Sequence, residues 1–237
     1  MTLGTIISQL ASGLLKSTAI FALTLLGSLP LGLLVAFGRM SGWAPFRGLA
    51  RENGGRLRQW LSELKPVQVI VKFYISIMRG TPLMLQLMVV YFGPFYLLGI
   101  SLGQNYRFYA VIIGFVLNYA AYFAEIYRSG IESMPIGQYE AATVLGYTKA
   151  QTFIKIILPQ VIKRILPSVT NEVITLVKDT SLAFAISYSE MFTIAKKIAS
   201  SQATLMPFVV AGVFYYIFNF IVAWIMERCE NSLNYFR

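Results

Sequence analysis

Two long stretches without a charged residue constrain this chain more than any other feature. Residues 17–38 run for 22 positions, and residues 198–226 for 29, without Asp, Glu, Lys or Arg. A helix of about 20 apolar residues crosses the hydrocarbon core of a bilayer. Hydrophobic residues make up 57% of the chain, and its mean hydropathy of +0.64 exceeds that of ordinary soluble domains. The sequence therefore predicts an all-α, polytopic membrane protein.

Three further apolar segments bring the predicted number of transmembrane helices to five. They are residues 67–98, 108–124 and 166–187, and each is long enough to cross the hydrocarbon core. The first 16 residues are weakly amphipathic, and we expect them to lie on the membrane surface. Residues 1–237 are treated as a single transmembrane domain.

Residues 39–65 carry six basic and two acidic side chains and predict a basic cytoplasmic loop. Such a loop orients the neighbouring spans, and an alternative role is binding to anionic lipids. If the amino terminus is outside, 14 Lys and Arg residues fall on the cytoplasmic side. Four then fall outside, namely Lys16, Arg107, Lys196 and Lys197. This bias follows the positive-inside rule and predicts a cytoplasmic carboxy terminus.

Composition excludes several classes of function. The chain has no histidine and a single cysteine, Cys229, so a disulfide framework or a Cys/His metal site within one chain is excluded. Residues 99–103 fit the GxSxG pattern of hydrolases, but no histidine exists to serve as the base. The formal net charge of +10 is placed at the ends of apolar spans, so nucleic acid is not an expected partner.

A polar segment between two apolar spans, residues 139–159, carries the most specific motif. Glu140-Ala141-Ala142 is followed by Gly146 and by an apolar run that ends at Leu158-Pro159. Glycine lets the backbone turn where other residues resist. The pattern predicts a short amphipathic helix, a glycine break and a second helical piece that returns to the membrane. Pro167 is expected in the first turn of the next helix. Without a partner, the segment would be a re-entrant amphipathic hairpin.

The spacing of these residues resembles the EAA loop of the membrane (permease) subunits of ABC importers. In that family the loop forms a cytoplasmic coupling helix that docks into a groove of an ATPase subunit. The resemblance implies the type I importer permease fold, two ATPase subunits, a second permease subunit, identical or homologous, and an extracellular or periplasmic amino-acid-binding protein. It assigns the ATPase contact to Glu140, Ala141, Ala142, Leu145 and Gly146.

Two other motifs resemble those of permeases for polar amino acids. One is Arg79-Gly80-Thr81-Pro82 with the following residues 83–87, and the other is residues 178–182, Lys-Asp-Thr-Ser-Leu. The first predicts a helix broken within the membrane, where freed backbone groups can face a substrate. A helix that starts there, with Arg79 at the interface, is the other interpretation. The resemblance implies a substrate path that includes Thr81, Leu83, Leu85, Lys178, Asp179 and Leu182.

Lys178 and Asp179 are predicted to lie near the membrane midplane. A helix rises about 1.5 Å per residue, so a count from Leu166 places both about halfway across a core of ~30 Å. Charges at that depth usually face a protein interior or an aqueous path. Either the two contact a zwitterionic amino acid, or they bind partners, such as Arg79 with Asp179, and fix helix packing. Near the cytoplasmic edge, Glu125 and Arg128 are three apart and are expected to pair.

The chain has no nucleotide-binding loop of its own, because no lysine directly follows a glycine, as G-x-x-x-x-G-K-[ST] requires. ATP and Mg are therefore expected on a partner ATPase, and no cofactor is expected on this chain. The resemblance implies a permease subunit, without enzymatic activity, of an ATP-driven amino acid importer in a bacterial inner membrane. Two other classes remain open: an ATP-independent pore, and a membrane scaffold that binds the ATPase but transports nothing.

Overall fold

The computed structural model describes residues 2–45, 64–103 and 105–233. Within these ranges the regular elements are all helical, which confirms the all-α prediction. The α-helices there are α1 (Leu3–Met40), α2 (Pro66–Gly80), α3 (Leu83–Leu98), α4 (Tyr106–Glu132), α5 (Ile136–Val144), α6 (Lys149–Thr152), α7 (Leu158–Asp179), α8 (Met191–Gln202) and α9 (Met206–Ser232). Most of the predicted basic loop, residues 46–63, lies outside the described residues.

The amino-terminal segment is part of the first long helix. The expected surface segment over residues 1–16 is therefore wrong, because α1 runs unbroken through it. Buried residues recur every three or four positions from Ile6 to Ala36, which places them on one face of the helix. That face packs against α4 and α8, so the first turns of α1 are covered by protein.

Small residues on α1 allow these close contacts. A Cβ atom added at Gly13 would lie 2.7 Å from the Cα atom of Met191, and one added at Gly32 would lie 2.8 Å from the Cβ atom of Phe123. Helices in membranes associate through such packing, since lipid is as apolar as the side chains. These two glycines therefore bring α1 against α8 and α4.

The central helix is α4, which contacts α1, α2, α3 and α7. Phe115, Tyr119 and Phe123 on α4 are almost completely buried and belong to the main hydrophobic cluster. A helix that is covered on several faces lies inside a bundle. The residues that follow α4 lead directly into α5, the helix of the EAA segment.

The predicted helix break is present between α2 and α3, whose axes are bent by 111° at Thr81 and Pro82. In a continuous helix the carbonyl of Met78 would accept a hydrogen bond from the N–H of residue 82. Because Pro82 has no N–H group, that hydrogen bond is absent. Side chains replace that bond. The amide groups of Gln86 and Asn118 both donate to the Met78 oxygen, each at 3.0 Å. The Met78 oxygen therefore has protein donors, and the contact of other backbone groups at the break with a substrate stays a prediction.

Gln86 and Asn118 hold the break together by further hydrogen bonds. The Gln86 amide also donates to the Thr81 carbonyl at 3.1 Å and to its hydroxyl at 2.8 Å. The side-chain amide of Asn118, on α4, donates to the side-chain oxygen Oε1 of Gln86 at 2.9 Å. Since buried polar groups need partners, this network fixes the angle between α2 and α3.

The predicted fourth span, residues 166–187, consists of the end of α7 and a 3₁₀ segment (Thr180–Ile186). A π-helical turn (Phe153–Ile157) precedes α7. Pro159 lies in the first turn of α7, whereas Pro167 lies inside the helix. The expectation for Pro167 is therefore wrong, because helical structure begins before Pro159 and continues through the later proline.

The helix of the last predicted span, in contrast, begins later than expected, at Met206. Residues 198–202 belong to α8, which ends where Ala203 adopts a left-handed conformation (φ 49°). Among the described helices, α1, α4 and α9 are long and apolar enough to cross a membrane, and the bent pair α2 and α3 makes a fourth span if it counts as one. The total of five spans stays a prediction.

Candidate functional site

The EAA segment forms the predicted helix, turn and returning helix. After α5, the N–H of Tyr147 donates to the Ala142 carbonyl and that of Gly146 to the Thr143 carbonyl, both at 3.0 Å. With Gly146 at φ 78°, this is a Schellman motif, in which glycine avoids the strain of the left-handed conformation. Gly146 therefore ends α5, and that backbone role accounts for its place in the motif.

Four of the five predicted contact residues, Gly146 among them, are exposed and one is not. Glu140 and Ala141 lie on the surface, as does Leu145, whereas Ala142 is only 1% exposed. A buried alanine cannot form an outer docking surface, so the structure assigns Ala142 to internal packing. Its direct contact with an ATPase stays a prediction.

Sequence reasoning missed two apolar residues on the outer face. Ile136 is 74% exposed and Val144 is 87% exposed. With Glu140 they are spaced four apart, which places all three on one side of α5. We call Ile136, Glu140, Val144 and Leu145 the coupling face. The sequence did contain a signal for them, since large apolar residues in an otherwise polar loop indicate a surface that binds a partner.

Packing beneath α5 fixes the coupling face to the bundle. Met134, Ile157 and Val161 form a buried cluster under the segment. Nearby, the guanidinium of Arg164 on α7 donates to the Ser133 carbonyl at 3.0 Å. These contacts join the end of α4 to the first half of α7 directly beneath α5.

The predicted path residues lie on two adjoining elements. The 3₁₀ segment packs against α3, and Leu83 and Leu182 both pack against the main hydrophobic cluster. Thr81 and Leu85 are exposed. The structure thus brings the stretches 81–85 and 178–182 into one region, with two leucines facing the core and two residues facing outward.

Asp179 does not have the side-chain partner that was predicted for it. Asp179 accepts a hydrogen bond from the Tyr119 hydroxyl at 2.8 Å, and Lys178 is exposed. Arg79 instead lies 3.9 Å from Glu125 and 5.3 Å from the Tyr122 ring centroid. The proposed pair of Arg79 and Asp179 is therefore wrong, because Arg79 ends α2 beside the carboxy-terminal half of α4.

A polar stripe along α7 continues from this region towards the EAA segment. Its residues are Arg164, Ser168, Asn171, Thr175 and Lys178, and all five are exposed. Their spacing of four, three, four and three places them on one helix face. Polar and charged groups at membrane depth face protein or water rather than lipid. The stripe therefore marks a surface that meets another subunit or an aqueous path.

The predicted pair of Glu125 and Arg128 is confirmed, with a nitrogen to oxygen distance of 2.7 Å. The side chains beside it border a cavity of about 420 Å³ between α4 and α7. Arg79, Tyr122, Arg164 and Glu172 are among its lining residues. In the described ranges, no group of three His, Cys, Asp or Glu side chains could hold a metal ion.

Comparison with known proteins gives a match over most of the chain. The family model of the "binding-protein-dependent transport system inner membrane component" matches residues 59–235. The arginine transport system permease protein ArtQ of Bacillus subtilis (strain 168) is 38% identical over 174 residues, which cover 73% of this chain and 78% of the relative. The octopine transport system permease protein OccM of Rhizobium radiobacter is 38% identical over 216 residues, or 88% and 85% of the two chains.

Two solved structures are similar over almost the whole length. A crystal structure of an amino acid ABC transporter with histidines has a TM-score of 0.80 and 27% identity, and the match covers 98% of this chain and 100% of that one. An inward-facing conformation of the MetNI methionine ABC transporter has a TM-score of 0.67 and 17% identity, with coverage of 99% and 100%. The second likeness shows the fold alone.

Proposed function

This chain belongs to the family of binding-protein-dependent transport system inner membrane components, and on that premise we propose that it is the permease subunit of an ATP-driven amino acid importer. The fold expected from the sequence, that of a type I ABC importer permease, is confirmed by its likeness to solved ABC transporters. The observation that carries the proposal is the coupling face, a set of uncovered apolar residues around Glu140.

The coupling face supports docking to an ATPase subunit. Large apolar side chains on a short helix lose contact with water when a partner covers them, which favours association. Glu140 and its neighbours would fit a groove with apolar walls and a basic group. Two ATPase subunits, which carry ATP and Mg, would then serve two permease subunits, this chain and an identical or homologous partner.

The polar stripe of α7 supports a path between the two permease subunits. Lys178 lies at one end of the stripe, beside Asp179 in the chain, and the 3₁₀ segment that follows packs against α3. The names of the relatives include arginine and octopine, and compounds of this kind carry both amino and carboxyl groups. We propose an amino acid as the substrate, delivered by a separate extracellular or periplasmic binding protein. Thr81, Leu83, Leu85, Lys178, Asp179 and Leu182 are proposed to border its path.

Co-purification from membranes tests the ATPase contact. Glu140→Lys reverses a charge at the centre of the coupling face, so an ATPase that accompanies the wild-type chain should be lost from the variant. Glu227→Lys is the matched control, because Glu227 is also exposed but lies near the end of α9. Retention of the ATPase by Glu140→Lys, or its equal loss from both variants, would contradict the proposed contact.

The proposed orientation places the amino terminus outside and the coupling face in the cytoplasm of a bacterial cell. Cys229 provides a direct test, since it is the single cysteine of the chain and is exposed near the end of α9. A membrane-impermeant maleimide should label it in inverted vesicles and leave it unlabelled in intact cells. Labelling in intact cells would reverse the proposed topology.

A further inference from the structure

Glu125 on α4 lies at a junction of three arginines from three helices. Its carboxylate is 2.7 Å from Arg128, 3.5 Å from Arg39 and 3.9 Å from Arg79. Arg39 is in the last turn of α1, and Arg79 is in the last turn of α2. One acidic group thus links the ends of two helices to α4.

The three contacts differ in strength. Arg128 is on the same helix and donates two hydrogen bonds to one Glu125 oxygen. Arg79 makes the longest contact, and its side chain is 45% exposed. Exposed ion pairs at long distance are weak and can be replaced by water. The link to α2 is therefore the one that can open, while Arg128 holds the carboxylate in place.

The junction lies between the coupling face and the helix break. On one side, α4 leads through Ser133 and Met134 into α5. On the other side, Arg79 stands two residues before Thr81, where the chain bends by 111°. The cavity of about 420 Å³ that borders Arg79 and Glu125 leaves room for the arginine to change position. A displacement of α4 would therefore reach the break through this carboxylate as well as through the hydrogen bonds of Asn118.

We propose that Glu125 is a positioning residue, whose pairing with Arg39 and Arg79 transmits movement of the coupling face to the break between α2 and α3. This inference rests on the proposed function. Glu125 touches neither substrate nor nucleotide in this account. It sets whether α1, α2 and α4 move as one unit when the ATPase acts on α5.

The test uses the complex purified with its ATPase and reconstituted in vesicles. Glu125→Gln keeps the shape of the side chain and removes its charge. ATP hydrolysis should continue while amino acid uptake falls, so the number of amino acids moved per ATP should drop about tenfold, within the range of coupling between distant sites. Glu125→Asp, which keeps the charge, should restore part of the ratio. An unchanged ratio in Glu125→Gln would overturn the inference.

Two further variants separate the possible failures. Glu132→Gln is the matched control, because Glu132 also pairs with Arg128 but does not contact Arg39 or Arg79 in the described part of the chain. It should leave the ratio unchanged. If Glu125→Gln fails to assemble, Arg79→Gln decides the question, since this exposed side chain can be replaced without disturbing the core. Absence of ATP-driven uptake in the wild type would instead overturn the proposed function.

Discussion

Glu190 and Glu125 each attract several donors, but the donors differ in kind. Glu190 accepts hydrogen bonds from the N–H groups of Phe192 and Thr193, both at 2.6 Å, and from the hydroxyls of Thr193 and Tyr215 at 2.7 and 3.2 Å. All of these donors are uncharged. Glu125 is surrounded by guanidinium groups and is partly open to water.

The uncharged site is fully enclosed. Glu190 is 0% exposed, and it caps the amino terminus of α8 while reaching Tyr215 on α9. Burial raises the pKa of its carboxyl above the ordinary value, and the hydrogen bonds from Thr193 and Phe192 oppose that rise. No Lys or Arg in the described ranges forms an ion pair with it. Without an alternative charged partner in these ranges, Glu190 holds α8 and α9 in one fixed arrangement.

The contacts of Glu190 between α8 and α9 and those of Glu125 among α1, α2 and α4 therefore differ in how easily they rearrange. A buried network of neutral donors is costly to leave unsatisfied, so it holds one arrangement. A part-exposed cluster with more cations than carboxylates can exchange partners at small cost. The α8 and α9 join should therefore govern stability, and the α1, α2 and α4 junction should govern coupling.

Glu190→Ala should have the largest effect on stability. The substitution leaves the buried donors of Phe192, Thr193 and Tyr215 without an acceptor, and we expect a loss of about 3 kcal/mol. Thermal unfolding of the purified chain measures it, with Glu190→Gln intermediate because one acceptor oxygen remains. Glu227→Ala serves as the exposed control. A melting temperature equal to that of the control would contradict the conclusion that the Glu190 network governs stability.

Gln86→Leu should have the next largest effect. Gln86 belongs to a network of uncharged donors like that of Glu190. Its loss leaves the Thr81 carbonyl without this donor and removes one of the two acceptors of the Asn118 amide. We expect a loss of about 2 kcal/mol in the free energy of unfolding. Gln68→Leu is the matched control, because Gln68 donates one hydrogen bond, to the Arg39 carbonyl. Equal destabilisation by both substitutions would contradict the assigned role of Gln86.

Glu125→Gln should have the smallest effect on stability. Its ion pairs are partly exposed, so we expect a change of about 1 kcal/mol or less once solvent screening is considered. This change is measured by the same unfolding assay that is applied to Glu190→Ala. If Glu125→Gln destabilises the chain as strongly as Glu190→Ala, the junction is a fixed join and the contrast between the two sites fails.

Some of this structure follows from local signals in the sequence. Pro82 removes a backbone donor wherever it stands, and Gly146 supplies a left-handed residue at the end of α5, so the break and the turn were predictable. The long charge-free segments likewise indicated helices. Each of these inferences depends on one residue or on one continuous run.

Other features depend on contacts between distant segments and had no local signal. Ala203 separates α8 from α9 in a left-handed conformation that alanine rarely adopts. Arg79 pairs with Glu125 instead of Asp179 because α2 ends beside the carboxy-terminal half of α4. Ala142 is buried for a similar reason, since the packing of α5 decides which side of a short helix is covered.

As a permease subunit, this chain should carry an amino acid through the membrane with energy from a partner ATPase. The most direct measurement is accumulation of labelled amino acids, arginine and glutamine first, in vesicles that contain the purified complex and its binding protein. We predict accumulation above the external concentration with ATP and none without it, and loss of accumulation in Glu140→Lys. Uptake that only equilibrates, at the same rate with or without ATP, would contradict the account and identify a passive pore.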